Sequence, residues 1–94
     1  MDRAISEVDI EHMVCVWATD NGWLAPKLQW LAQTGWPDRT FIKDGKVIFI
    51  EFKKPGGVVS KKQHHWIGRI RAQGIPVAVF DDPTEAIAFL QSHD

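Results

Sequence analysis

Asp38, Glu51 and Lys53 are two acids and a base that a short hairpin brings onto one face of a sheet. Asp44-Gly45 lies between two runs rich in strand formers, Arg39-Thr40-Phe41-Ile42 and Val47-Ile48-Phe49-Ile50-Glu51-Phe52. Asp-Gly in that setting predicts a tight two-residue loop. Such a loop pairs Lys43 with Lys46, Ile42 with Val47 and Thr40 with Phe49, and it sets Asp38 opposite Glu51. The period of two adds Lys53 to the same face. A four-residue loop would keep this pairing, and a three-residue loop would displace it. Directly opposed Cβ atoms are roughly 4.5–5.5 Å apart, where like charges destabilise a sheet unless something positive sits between them. Lys53 bridging the two acids at the surface would answer that need, and so would a divalent cation. Val47 and Phe49 share the face, so the charges border an apolar layer, where unpaired charge is costly.

The elements that must carry these residues can be read along the chain. Ser6 as N-cap, with Asp9 three residues on and Asn21-Gly22 as a stop, predicts a first helix over Ser6 to Thr19 with Ile10, Met13, Val14 and Trp17 buried. A strand is expected across Pro26 to Leu31, followed by the hairpin. Pro55-Gly56-Gly57 ends its second strand, and Ser60-Lys61-Lys62-Gln63 has the form of a capping box, so a helix should run from Lys61 to Gln73 and stop at Gly74. Pro76 to Phe80 reads as a short buried strand reached by a crossover. Asp82-Pro83-Thr84-Glu85 opens a last helix with apolar Ile87, Phe89 and Leu90. The expected fold class is α/β, a three-layer sandwich of order α-β-β-β-α-β-α around a mixed sheet.

With 94 residues and 45% hydrophobic content, the chain is expected to form one domain over residues 1–94. No apolar run approaches the roughly 20 residues that span a bilayer, and the acidic start does not resemble a secretory signal, so a soluble, intracellular protein is expected. The net charge of -1 hides a segregation of charge. Residues 1–22 sum to -4 and residues 81–94 to -4, whereas residues 52–80 hold Lys53, Lys54, Lys61, Lys62, Arg69 and Arg71 with no acid, a sum of +6. That segment can serve as a phosphate footprint or simply as a solvated helix face.

Gly35-Trp36-Pro37-Asp38, Ile50-Glu51-Phe52-Lys53-Lys54-Pro55-Gly56-Gly57 and Ser60-Lys61-Lys62-Gln63 resemble the VRR-NUC family, a branch of the PD-(D/E)xK nucleases with the restriction-endonuclease-like fold. The short length resembles the standalone phage and bacterial members, which implies a place in the bacterial or host cytoplasm. The resemblance implies cleavage of DNA phosphodiesters with Mg2+ or Mn2+, on branched DNA such as Holliday junctions, by a homodimer. In its terms Asp38, Glu51 and the backbone carbonyl of Phe52 hold the ion, and Lys53 orients or helps deprotonate the attacking water. The residue types fit independently, since magnesium takes hard oxygen ligands and a nearby lysine offsets charge growing on a phosphate. One or two ions would both be compatible.

The family usually adds an acid from the first helix. At 100° per residue, Glu7 lies about 70° from the centre of the expected apolar stripe and Glu11 about 110° away, which favours Glu7. Gln63 can cap Ser60, yet it shares a face with Ile67 and Ile70 and so also points toward the catalytic strand. Lys27 stands where the family often has a basic residue, and Lys54, Lys61, Lys62 and Arg69 are further candidates for DNA contact. Gly56-Gly57 could offer amides to a phosphate or only make a tight turn. Adjacent His64 and His65 point about 100° apart on a helix and cannot chelate one zinc ion. Cys15 is read as core, and the five tryptophans as core anchors, a dimer interface or base-stacking platforms. A non-catalytic nucleic-acid module of the same fold and a restriction-like duplex endonuclease are the competing readings.

Overall fold

The structure, a computed structural model, describes residues 5–28 and 34–94. Three helices surround a three-stranded sheet: α1 (Glu7–Asp20), β1 (Arg39–Lys43), β2 (Lys46–Phe52), α2 (Lys61–Ala72), β3 (Val77–Phe80) and α3 (Pro83–Ser92). The sheet order is β1-β2-β3. Asp44 and Gly45 take φ of 50° and 76°, the double left-handed geometry of a type I′ turn, whose twist matches that of the flanking strands. The resulting antiparallel register is the one expected, with Lys43 opposite Lys46, Thr40 opposite Phe49 and Arg39 opposite Ile50. β2 then pairs in parallel with β3, Glu51 beside Val79 and Phe52 beside Phe80.

Because side chains alternate along a strand, β2 divides its residues between two cores. Ile48, Ile50 and Phe52 face α1 and α3 and join Ile10, Val14, Ala18, Ala86 and Leu90 in the larger core. Phe49 faces α2 and packs with Ile67, Ile70 and Val77 in the smaller one, with Val47 and Val79 against it. Glu51 and Lys53 belong to the parity of Phe49, so they emerge where the smaller, α2-covered layer ends.

Two expectations need correction. The buried stripe of α1 is Ile10, Glu11, Val14 and Ala18, while Met13 is 49% exposed and Trp17 is only half-buried. Hydrophobicity draws attention to Met13, but it is Ala18 that is fully buried on the inward face, and Glu11 is buried against Arg39 from β1. The strand expected over Pro26 to Leu31 falls partly outside the described residues. Within them the chain meets β1 through a single bridge: Leu24 and Ile42 exchange both backbone hydrogen bonds, at 2.8 and 2.9 Å. The next pair is incomplete. Thr40 N–H donates to the Pro26 carbonyl at 3.2 Å, but Pro26 has no N–H to return.

Candidate active site

Asp38 lies one residue before β1, and continuing the ladder places it opposite Glu51. The three residues ahead of it fix the approach. Gly35 has a φ of 92°, and a Cβ there would lie 2.6 Å from the backbone carbonyl carbon of Lys62, so this loop rests directly on the first turn of α2. Trp36 packs edge-on against Phe49, with centroids 5.5 Å apart, and Pro37 is buried. The Phe52 N–H then donates to Asp38 Oδ2 at 2.9 Å, which extends the ladder by a side chain where β1 has not yet begun. Strand geometry turns the Phe52 carbonyl to the same side as its N–H, toward Asp38.

Glu51 is 2% exposed, and its two carboxylate oxygens have different surroundings. Oε2 accepts from Gln63 Nε2 at 2.7 Å and lies 3.5 Å from Lys53 Nζ. Oε1 is buried without any hydrogen-bond partner among the described residues. Gln63 does both things expected of it. Its Oε1 accepts from the Ser60 N–H at 2.9 Å while the Ser60 hydroxyl accepts from the Gln63 N–H at 3.1 Å, completing the capping box. With the carboxamide oxygen committed to Ser60, the amide nitrogen is left to donate to Glu51.

Ligand oxygens of Glu7, Asp38 and Glu51 all lie within 4.8 Å of one another. Glu7 comes from the first turn of α1, held in place by the reciprocal capping of Ser6 and Asp9. Glu11, the other helix acid, is not in this cluster. Its Oε2 accepts from Arg39 Nε at 2.9 Å, lies 2.7 Å from Arg39 Nη2, and is 3.6 Å from Lys27 Nζ. Arg39 also donates to the Ala25 carbonyl at 2.9 Å. Sequence reading missed Arg39 as the partner of Glu11, because the expected apolar stripe of α1 turned Glu11 away from the core.

Burial is the main force on the clustered acids. It pushes Glu51 up to about 8, helped by the neighbouring Asp38 carboxylate and opposed by Lys53. It also raises Asp38, against the stabilising Phe52 N–H. Among the described residues, three acids against one lysine make a cluster short of positive charge, and an all-oxygen donor set with an orphaned buried oxygen fits a hard divalent cation.

The cationic residues are spread unevenly. Lys54, Lys61, Lys62 and Arg69 are exposed and have no acid partner among the described residues, whereas Lys27 is tied to Glu11. The Gly57 N–H donates to the Lys54 carbonyl at 2.8 Å, so Gly56-Gly57 closes a tight turn and that amide is not available to a phosphate. Among the described residues His64 and His65 belong to no group that could hold a metal. Cys15 packs at the border of the larger core, where burial raises its thiol pKa.

A search among curated proteins returns no match. A solved structure described as a VRR_NUC domain superposes with a TM-score of 0.83, covering 94% of this chain and 97% of that one at 20% identity, a likeness of fold. Residues 23–81 match the family described as the VRR-NUC domain. With more than half of the sequence matched, and with Asp38, Glu51 and Lys53 inside the matched span, the chain belongs to the VRR-NUC family, a nuclease-type domain family.

Proposed function

We propose that the protein is a divalent-metal-dependent endonuclease that hydrolyses DNA phosphodiesters, using Mg2+ or Mn2+, with branched DNA such as Holliday junctions as its substrate. The observation that carries this reading is the convergence of Glu7, Asp38 and Glu51 within 4.8 Å around a buried Glu51 oxygen that has no hydrogen-bond partner among the described residues. Glu7, Asp38, Glu51 and the Phe52 carbonyl would hold the ion. When bound, such a cation supplies Lewis-acid polarisation of the phosphate and makes water a stronger acid.

The protein groups then have distinct tasks. Gln63 fixes the Glu51 carboxylate through Oε2, leaving Oε1 free for a ligand. Lys53, 3.5 Å from that carboxylate and largely shielded from solvent, orients the attacking water and offsets charge that grows on the phosphate. Lys54, Lys61, Lys62 and Arg69 extend outward from the site as phosphate contacts, and their contribution should fall with salt. Lys27 is occupied with Glu11, so we give it a supporting role in placing the chain before β1. Symmetric incision of a four-way junction needs two sites related by a two-fold axis, which a homodimer would provide.

The test is cleavage of a synthetic four-way junction, with linear duplex and flap substrates alongside, across a divalent-metal series. Cutting with Mg2+ or Mn2+, loss in EDTA, and a drop of about 10²–10³-fold in Lys53→Ala are expected. Persistent cutting in EDTA would sink the mechanism. Salt-sensitive binding without cleavage under every metal would instead favour a non-catalytic binding module.

A further inference from the structure

A cavity of about 210 Å³ opens between α2 and the loop before β1, lined by Trp36, Trp66, Arg69, Ile70, Gln73 and Ile75. Apart from Arg69, named above as a phosphate contact, none of these residues has a task in the chemistry proposed above. The indoles of Trp36 and Trp66 meet edge to face with centroids 5.5 Å apart, and the Arg69 guanidinium carbon stands 5.9 Å from the centre of the Trp66 ring. Ile70 is buried beneath them. Gln73 is exposed at the C-cap of α2, and its carboxamide has no hydrogen-bond partner among the described residues.

Size, lining and charge narrow the occupant. The volume is below the roughly 300–1,000 Å³ of clefts that take drug-sized ligands, so it suits one planar ring system. Two aromatic walls, a guanidinium and a free carboxamide are what a heteroaromatic base needs: faces to stack on and an edge to hydrogen-bond. Five of the six lining residues, all but Trp36, come from residues 52–80, the long stretch that carries six cations and no acid. A symmetric contact with a second copy would set that cationic face against itself, which costs several kcal/mol for close like charges. A polyanion meets no such penalty.

The cavity is also near the acids. Trp36 is two residues from Asp38 and packs on Phe49, which is two residues, or about 7 Å of strand, from Glu51. Trp66 is one helical turn, about 5 Å, from Gln63. A strand whose phosphate reaches the acids is therefore within a nucleotide or two of the cavity.

We propose that this cavity receives one unpaired nucleobase of the DNA strand, stacked on Trp66 with Arg69 and Gln73 at its polar edge. The inference rests on DNA being the ligand of the neighbouring site, and it ties substrate choice to an available unpaired base. A flap offers one in its single strand and a junction gives one up where stacking is interrupted at the branch point, whereas an intact duplex must first unstack it, at a cost of a few kcal/mol.

The test is an abasic scan by fluorescence anisotropy in EDTA, on flap and four-way-junction DNA in which single nucleotides near the branch are replaced one at a time. Wild-type protein should bind about tenfold more weakly at one position. Trp66→Leu should bind intact DNA about tenfold more weakly and lose its sensitivity at that position, and Trp66→Phe should recover it. If Trp66→Leu does not fold by circular dichroism, the exposed substitution Arg69→Ala replaces it, with a smaller abasic penalty as the expected result. A flat scan in wild type overturns the proposal, as does no DNA binding at all or an unchanged sensitive position in the variants. So does a dimer that falls apart in Trp66→Leu while the scan stays the same, which assigns the cavity to a second copy. A protein that shows the abasic signature but cuts nothing keeps this site and loses the nuclease reading. One that cuts DNA with a flat scan loses only the site.

Discussion

Glu7 and Glu11 stand one turn apart on α1, and the two carboxylate sites they enter are built in opposite ways. Around Glu11 the positive charge is brought inside: Arg39 contacts it through Nε and Nη2, Lys27 stands 3.6 Å away, and the residue is 7% exposed. Around Glu7 the acids gather instead, with Asp38 and Glu51 inside 4.8 Å and, among the described residues, Lys53 alone in an ion pair with them. Paired buried charge closes on itself and holds an element in place. A buried acid left short of a counter-ion ionises only at a cost, so it keeps a proton until a cation takes that proton's place. The difference separates an anchor from a site, although both use a glutamate on the same helix.

The strongest way to break this comparison is to neutralise one acid at each place. Glu51→Gln should lower junction cleavage by about 10³-fold, while the protein without metal stays folded. Glu11→Gln should do the reverse. It strands the Arg39 guanidinium and should cost about 3 kcal/mol in urea denaturation, with cleavage by the remaining folded protein close to normal. Equal loss of cleavage from both variants would erase the distinction.

A second measurement sharpens it through pH. The folded-state pKa of Glu51, about 8, lies above its ordinary value of 4.5. Between those limits the folded protein holds a proton that the unfolded chain has released, so stability without metal falls as pH rises through the window. Differential scanning calorimetry in EDTA should show that decline, and Glu51→Gln should flatten it. Adding Mg2+ or Mn2+ at pH 8 should restore wild-type stability, by about 2.7 kcal/mol at 100 times Kd, with no comparable gain in Glu51→Gln. A metal-free wild type that grows steadily more stable from pH 5 to 8 would contradict the assignment.

The smallest effect concerns Gln63. Gln63→Glu keeps a side-chain acceptor for the Ser60 N–H but replaces the donor to Glu51 with a fourth acid. A loss of about 1 kcal/mol is expected in EDTA, together with tighter Mn2+ binding by calorimetry as the added negative charge favours the cation. If Gln63→Glu matches wild type in both assays while Gln63→Ala loses stability, capping is the residue's whole role.

Much of this was legible in the sequence because it depends on short-range rules. The I′ turn at Asp44-Gly45 fixes the hairpin register by parity, and with it the meeting of Asp38 and Glu51. Both capping boxes follow from residues three apart. What escaped notice depends on distant partners. Glu11 seemed to lie off the apolar stripe of α1, because the residue that lets it face inward, Arg39, is 28 positions away. With Ile10, Val14 and Ala18 as the true stripe, Glu7 is about 20° from its centre and Glu11 about 60°, so both acids point in. Pro26 limited the edge pairing through a missing N–H that matters only once its partner, Thr40, is known. Trp36 and Trp66 carried a general aromatic signal, and only the fold set them side by side.

The capping box of α2 ties the survival of a helix end to the assembly of the site. Helix ends open more readily than helix centres. Here the first turn holds Ser60 and Gln63 together, gives Gly35 its resting surface at Lys62, and supplies the donor to Glu51. When that turn frays, the Asp38 loop loses its seat and Glu51 loses its tether in the same event. The fraction of molecules ready to act is therefore bounded by the fraction whose α2 begins at Lys61, and the exchange rate of the His64 amide, bonded to the Ser60 carbonyl at 2.9 Å, reads out that fraction directly.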